Sequence, residues 1–289
     1  MNILVTGCYG QLGTALQEVA GDHNSHRWLF TDIDTLDICN PNAVERYFVD
    51  NGIDVCINCA AYTAVDKAED EPELAELVNV KAPSYLADCC QRHDATLVHI
   101  STDYVFDGKA CQPYKEDDTT APTSVYGKTK QDGELAIKAS GCSYCILRTA
   151  WLYSSTGKNF VKTMLSLGDT RPEINVVNDQ RGCPTWATDL ARAIVKLLDH
   201  YGKSLIHETF HFTNEGQITW YDFACAIMEI GRKHCKVNPI TTDQYPTKAV
   251  RPAFSVLDLT KIKEVCDMEI PLWRDSLAKC IEEINIKTK

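Results

Sequence analysis

The sequence has no apolar run approaching the ~18 residues that a membrane-spanning helix needs. Its first residues also lack the charged segment, apolar stretch and small-residue cleavage site of an export signal, and open at once on strand-like Asn2-Ile3-Leu4-Val5-Thr6. Basic excess is missing too: 29 Lys and Arg stand against 40 Asp and Glu, a net charge of −11. A broad basic face for nucleic acid or an anionic membrane is thereby excluded, so any phosphate-bearing ligand has to be held by local groups. Repeats, low-complexity tracts and long linkers are absent. What remains is the composition of a globular protein with a full core, 44% hydrophobic and 24% charged, over 289 residues. That length suits one large or two modest domains. Cysteine is plentiful, at fourteen. In a chain this long without an export signal, these read as reduced thiols of a cytoplasmic protein.

The first half alternates short apolar runs with helical patterns. Strands are expected at Ile3–Val5, Trp28–Thr31, Asp54–Asn58, Thr96–Ile100 and Ser143–Leu147. Helices are expected from Gln11, from Asn40-Pro41 as cap and first residue, from the acidic residues 69–73 to about Arg92, and over 124–139. Strand-then-helix units with nearly continuous apolar strands predict a doubly wound parallel sheet of the Rossmann type, an α/β fold. Residues 1–150 form the expected dinucleotide-binding domain, open to completion by segments from the C-terminal half. Residues 151–289 are expected to be a smaller mixed α/β substrate-binding portion without an independent core. Its helices are placed near 160–167, 187–200, 221–234 and 273–284.

Gly7-Cys8-Tyr9-Gly10-Gln11-Leu12-Gly13 lies between the first strand and the first helix. Glycines there allow a sharp turn and let a pyrophosphate approach the exposed N–H groups of a helix start. Asp32 ends the second strand, 19 residues after Gly13, where a carboxylate suits the ribose hydroxyls of a dinucleotide and disfavours a 2′-phosphate. Arg27 lies nearby, so both NADH and NADPH stay open.

Tyr126 and Lys130 stand at i and i+4 on a predicted helix and project from one face. A neighbouring ammonium is expected to lower the phenol pKa, so that the pair can give a proton to a carbonyl oxygen receiving hydride. Thr102, just beyond the fourth strand at the carboxyl edge of the sheet, is placed to hydrogen-bond the same oxygen.

These residues resemble the extended short-chain dehydrogenase/reductase family, and within it the reductases of dTDP-activated 4-keto sugars. The resemblance spans almost the whole chain. It is carried by the glycine turn, Ala60 to Glu69, Ser101 to Gly108, Tyr126 with Lys130, Arg148 to Tyr153, Asn178 to Thr185, and Arg251-Pro252. It implies reduction of the C4 ketone of dTDP-6-deoxy-L-lyxo-4-hexulose to dTDP-L-rhamnose by NADPH or NADH. It implies Gly10, Gln11 and Leu12 against the pyrophosphate, Asp32 on the ribose, Asp37 and Ile38 near adenine, and Ala61, Tyr62 and Thr63 beneath the nicotinamide half. Ile100 belongs to the same implied cofactor set, and Lys130 would hold the ribose. Thr102 and Asp103 would touch the sugar, with Trp151 against its C–H face. Asn159, Gln180 and Arg251 are further implied contacts to the diphosphate or thymine. Some family members use acidic side chains to bridge a magnesium-dependent dimer. Ala15 and Thr188 stand in those neighbourhoods here, so no metal is expected, and the chain is expected to be a monomer or weak homodimer.

Two other readings stay open at this stage. One is a non-catalytic, nicotinamide-binding regulatory subunit like that of methionine adenosyltransferase. The other is a reductase of a different nucleotide-activated 4-keto sugar. Cys56-x-x-Cys59 and Cys142-x-x-Cys145 overlap strands, where i and i+3 point to opposite faces, so core thiols are expected rather than zinc ligands. His207 and His211 lack a third partner at ligand spacing and read as structural.

Overall fold

The computed structural model describes residues 1–21, 25–202 and 207–287. Strand β1 (Asn2–Thr6) leads through the glycine turn into helix α1 (Gln11–Ala20), followed by β2 (Arg27–Thr31) and α2 (Pro41–Asn51). Asn40 caps α2 by accepting from the Asn42 and Ala43 N–H groups, and Pro41 sits where no intrahelical donor is required. After β3 (Val55–Asn58) come two short helices, α3 (Val65–Ala68) and α4 (Pro72–Glu76), then a π-helical turn at Leu77–Lys81 and α5 (Ala82–Arg92). The single helix expected from the acidic stretch to Arg92 is therefore broken. Pro72 starts a new helix at its first turn, and the wider π turn brings Asn79 to full burial. β4 (Thr96–Thr102), α6 (Val125–Ser140) and β5 (Ser143–Thr149) complete the first half.

The second half holds β6 (Leu152–Tyr153), α7 (Phe160–Thr170), β7 (Glu173–Val177), β8 (Arg181–Gly182), β9 (Thr185–Trp186) and α8 (Ala187–Tyr201). It continues with β10 (Glu208–His211), β11 (Ile218–Thr219), α9 (Trp220–Ile230), β12 (Lys236–Ile240), α10 (Thr260–Cys266) and α11 (Trp273–Lys287).

Six parallel strands make the main sheet, in the order β10-β5-β4-β3-β1-β2. Its strands read as unbroken apolar runs because both faces are covered. Ile3, Val5, Val55 and Ile57 pack with Leu190, Ile194 and Phe210 on one side. Leu4, Cys56, Leu97 and Ile146 pack with Val44, Phe48 and Leu86 on the other. Cys56 and Cys142 face the second layer while Cys59 and Cys145 face the first, so neither C-x-x-C pair converges. All fourteen cysteines are free. The chain returns to this layer late, because α8 packs against α1 and β10 extends the sheet beside β5.

The second half does build a core of its own, contrary to the expectation from sequence. Tyr153, Val161, Trp186, Phe223, Ile227 and Leu277 form a separate buried cluster beneath the parallel pair β7 and β12. Its aromatic members are scattered across the sequence and meet only in the fold: Phe160 and Trp220 both pack on Phe223. Among the described residues no helix is long and apolar enough to cross a membrane.

Candidate active site

The strand order reverses between β1 and β3, where ligands of open parallel sheets bind at the carboxyl ends. Gly7 sits at that point with φ +67°, a conformation that favours glycine, and a Cβ there would come within 2.7 Å of the Ala60 nitrogen. The close approach sets the turn after β1 beside the loop after β3. Gly10 precedes α1, and no side chain caps that helix, so its first N–H groups are free to meet an anion. Leu12 and Gly13 are buried in the packing of α1, so only their backbone can face a ligand.

Asp32 is held at the end of β2 by the Tyr9 N–H at 2.9 Å and the Ile33 N–H at 2.9 Å. Asp37 is exposed and accepts from the Cys39 N–H. The Ile38 side chain is buried in the core with Val44 and Phe48, which leaves its backbone to face a ligand beside Asp37. The Ala61–Thr63 loop is clamped by Asn79, whose side chain bonds both the N–H and the carbonyl of Tyr62, at 2.9 and 3.1 Å, and donates to Thr129 on α6. The Tyr62 hydroxyl donates to Glu71.

The centre of the site is the end of β4 against the first turns of α6. Ser124 caps α6 by accepting from the Gly127 N–H. Gly127 allows contact: a Cβ there would lie 2.2 Å from the Tyr104 carbonyl oxygen. Tyr126 is buried, and the Thr102 hydroxyl is among the groups that act on its phenol. Thr102 donates to the Asp103 carboxylate at 2.9 Å, and the Tyr104 ring packs edge-on to Tyr126 at 5.5 Å. Arg251 reaches this pair, donating to the Tyr104 hydroxyl at 3.0 Å and to Asp66. Asp66 also accepts from the Ala249 N–H, and Glu69 accepts from the Val125 N–H at the start of α6. Two carboxylates of the acidic stretch thus turn inward to hold the site.

The electrostatics correct one expectation. Lys130 does not lower the Tyr126 phenol in this arrangement. Its Nζ donates to the Ile100 carbonyl at 2.7 Å and contacts His99 Nε2 at 3.2 Å. Burial, with the charge of Asp103, pushes the phenol above its usual value, and the neighbouring Thr102 hydroxyl only partly offsets this. Burial also brings Lys130 down to about 8 and raises Asp103 to about 6, against the pull of the Ser255 and Thr102 hydroxyls.

The remaining implied contacts divide. Trp151 lies beyond β5 with φ +47°, a strained conformation for a bulky residue, and its indole stacks on Trp220 at 3.6 Å. The face stacked on Trp220 is not free for a sugar, and Gly182 lies against the benzene edge. Gln180 is buried and donates to Thr242. Asn159 has its amide spent on Gln11 Oε1, the Ser154 carbonyl and the Thr156 carbonyl, while its oxygen caps α7. It is a helix cap that ties the second half to the glycine turn, and has no donor left for a diphosphate.

Sequence reasoning passed over Asn58, Asn79 and His99. The first carried a signal, as a polar residue closing an apolar strand. The other two depend on burial that only the fold reveals. Ala15 and Thr188 are buried, and among the described residues no group of three or more His, Cys, Asp or Glu could hold a metal ion.

Comparison with known proteins places this geometry in context. The model of the family described as RmlD substrate binding domain matches residues 1–286. The chain is 41% identical to the dTDP-4-dehydrorhamnose reductase of Aggregatibacter actinomycetemcomitans over 283 residues, 95% of this chain and 96% of that protein. A crystal structure of a dTDP-4-dehydrorhamnose reductase from Clostridium acetobutylicum superposes with a TM-score of 0.93 at 43% identity, covering 99% of this chain and 100% of that one. The Bacillus anthracis dTDP-4-dehydrorhamnose reductase, solved in complex with NADP, gives a TM-score of 0.93 at 37% identity over 98% of this chain and 99% of its own.

Proposed function

This chain belongs to the RmlD substrate binding domain family, and from that premise we propose that it reduces the C4 ketone of dTDP-6-deoxy-L-lyxo-4-hexulose to dTDP-L-rhamnose. It is an NAD(P)H-dependent oxidoreductase of the extended short-chain dehydrogenase/reductase type. The observation that carries the reading is the Thr102–Tyr126 pair, set at the carboxyl end of β4 with Lys130 one helical turn on.

A nicotinamide dinucleotide fits the residues present. The uncapped start of α1 at Gly10 leaves N–H groups for its diphosphate, and the Asp32 carboxylate stands ready for ribose hydroxyls. Bound there, the cofactor supplies hydride to the sugar carbon. Tyr126 protonates the oxygen at C4, and its raised pKa keeps the phenol protonated at neutral pH, as a proton donor requires. The Thr102 hydroxyl orients that oxygen and Asp103 orients Thr102. Arg251, held by Asp66, keeps Tyr104 against the Tyr126 ring and presents a cation toward the anionic half of the substrate. Trp151 offers the sugar its remaining edge.

The test is NADPH or NADH oxidation with enzymatically prepared dTDP-keto-sugar, and identification of the product. Turnover to dTDP-L-rhamnose supports the proposal. Cofactor binding without turnover would favour a regulatory subunit, and a different product sugar would reassign the substrate.

Two further outcomes are expected. Asp32→Ala should move the ratio of kcat/KM for NADPH over NADH upward by about tenfold, since one charge-assisted hydrogen bond to the ribose is lost and the 2′-phosphate is no longer repelled. Asp103→Asn should slow turnover yet raise the melting temperature. At pH 7 the buried carboxyl is mostly ionised although its folded pKa, about 6, lies above the usual 3.8. Its ionisation therefore costs stability that is regained as pH falls through 6 toward 4, up to roughly 3 kcal/mol. Thermal unfolding of the two proteins at pH 7 and pH 4 checks this: the stabilising effect should shrink at the lower pH.

A further inference from the structure

His99 on β4 is fully buried and takes no part in the chemistry described above. Its ring lies between two nitrogen groups: Asn58 Nδ2 sits 3.1 Å from Nδ1, and Lys130 Nζ sits 3.2 Å from Nε2. The orientation of the Asn58 amide is settled by its other neighbours. Its Oδ1 accepts from the Thr6 hydroxyl at 2.8 Å and from the Ala60 N–H, a group that can only donate. Nδ2 therefore turns its hydrogens to His99, and Nδ1 has to accept. The single proton of a neutral imidazole must then stand on Nε2, directed at Lys130. An ammonium at that distance would set N–H against N–H. A neutral amine satisfies both contacts, accepting from Nε2–H on its lone pair while donating to the Ile100 carbonyl.

We propose that His99 is a positioning residue that favours the neutral amine of Lys130 over the ammonium in the cofactor-free enzyme, so that in the alkaline range, where the amine prevails, binding of a nicotinamide dinucleotide draws a proton from solvent onto Nζ. The inference rests on the cofactor reading given above. A dinucleotide brings hydroxyl acceptors and an anionic diphosphate, and both favour the ammonium over the amine. In that range the charge that holds the ribose and eases proton loss from Tyr126 arises with cofactor binding.

The other groups around Lys130 leave this proton account intact. On α6, Tyr126 is neutral, and Glu134 favours the ammonium but is itself bound by Arg148 and Ser101. On β3, Asn58 stands on the far side of the His99 ring, and on β1 Thr6 bonds Asn58; neither titrates. On β4, burial holds His99 neutral by pushing its pKa well below the usual value. Burial brings Lys130 down to about 8, so the amine prevails above that pH and the ammonium below it.

Two measurements on the full chain test this. In 15N-labelled, cofactor-free protein at about pH 9.5, where the amine prevails, the His99 ring should give the neutral Nε2–H pattern; an imidazolium or an Nδ1–H tautomer overturns the proposal. Calorimetric titration with NADPH, in buffers of different ionisation enthalpy, should show proton uptake rising from a small fraction near pH 7.5 toward one per cofactor near pH 9.5. His99→Gln offers an oxygen that accepts from an ammonium, and should cut that uptake at every pH. Uptake that stays flat in the parent protein, or is unchanged in His99→Gln, refutes the coupling. A chain that binds neither NADPH nor NADH contradicts the cofactor reading instead. Should His99→Gln fail to fold, the tautomer measurement on the unsubstituted protein still decides.

Discussion

A Tyr126→Phe enzyme is expected to reduce the 4-keto sugar roughly 100- to 10,000-fold more slowly than the parent, with NADPH affinity changed by no more than about twofold. The substitution removes one oxygen from a ring packed with Ala68 and Ala75, so the first turns of α6 keep their shape. What is lost is the buried hydroxyl beside Thr102, and with it the proton for the alkoxide. Water is a poor substitute in a pocket that buries this side chain. The loss should fall on kcat rather than KM, because the proton transfer is made in the transition state. Steady-state kinetics together with NADPH fluorescence titration separate the two.

The second large effect is on stability. Arg148 on β5 and Glu134 on α6 form a bidentate pair, 2.9 and 2.7 Å, with each side chain only 2% exposed. Ser101 donates to the same carboxylate, and the guanidinium reaches the Glu116 carbonyl and His211 Nε2. His211 completes the set as a neutral ring, its Nδ1–H donating to the Tyr114 carbonyl, and burial beside Arg148 lowers its pKa to about 3. This network pins α6, and so Tyr126 and Lys130, to the sheet and to the loop that follows β4. Arg148→Met leaves the buried Glu134 charge with only Lys138, at 3.8 Å, for a partner and should cost about 3 kcal/mol or more. That corresponds to a fall in melting temperature of the order of ten degrees for a chain of this size. The double change Arg148→Met with Glu134→Leu should recover most of the loss, since no bare charge remains. Thermal unfolding followed by circular dichroism measures both.

Five strands of the parallel sheet could be read from sequence because each is a largely apolar run closed by Asn or Thr, and Asn40-Pro41 announces α2 by its capping chemistry; β10, Glu-Thr-Phe-His, carries no such run. The glycine turn and the Tyr126–Lys130 spacing were legible for the same reason: their geometry is local. What escaped depends on contacts distant along the chain. The π turn at Leu77–Lys81 adds a residue without changing composition, so nothing in the sequence marks Asn79 as the clamp on Tyr62. Asn159 resembled a ligand contact, although an Asn immediately before the apolar start Phe160-Val161 is also a cap signal, and the cap prevailed. The Lys130 environment was misjudged because i and i+4 spacing says which side chains share a helix face, and says nothing about the sheet opposite. There, Ile100 and His99 claim the amine before Tyr126 can. The second core was missed because Tyr153, Phe160, Trp220, Phe223 and Trp273 show no common period.

The hydride itself offers the plainest test. Run with dTDP-6-deoxy-L-lyxo-4-hexulose and NADPH deuterated at the transferable C4 position, the enzyme should deliver one deuterium to C4 of the sugar, visible by NMR as loss of the H4 signal in dTDP-L-rhamnose. A product with H4 intact, or deuterium at any other sugar carbon, would contradict the account.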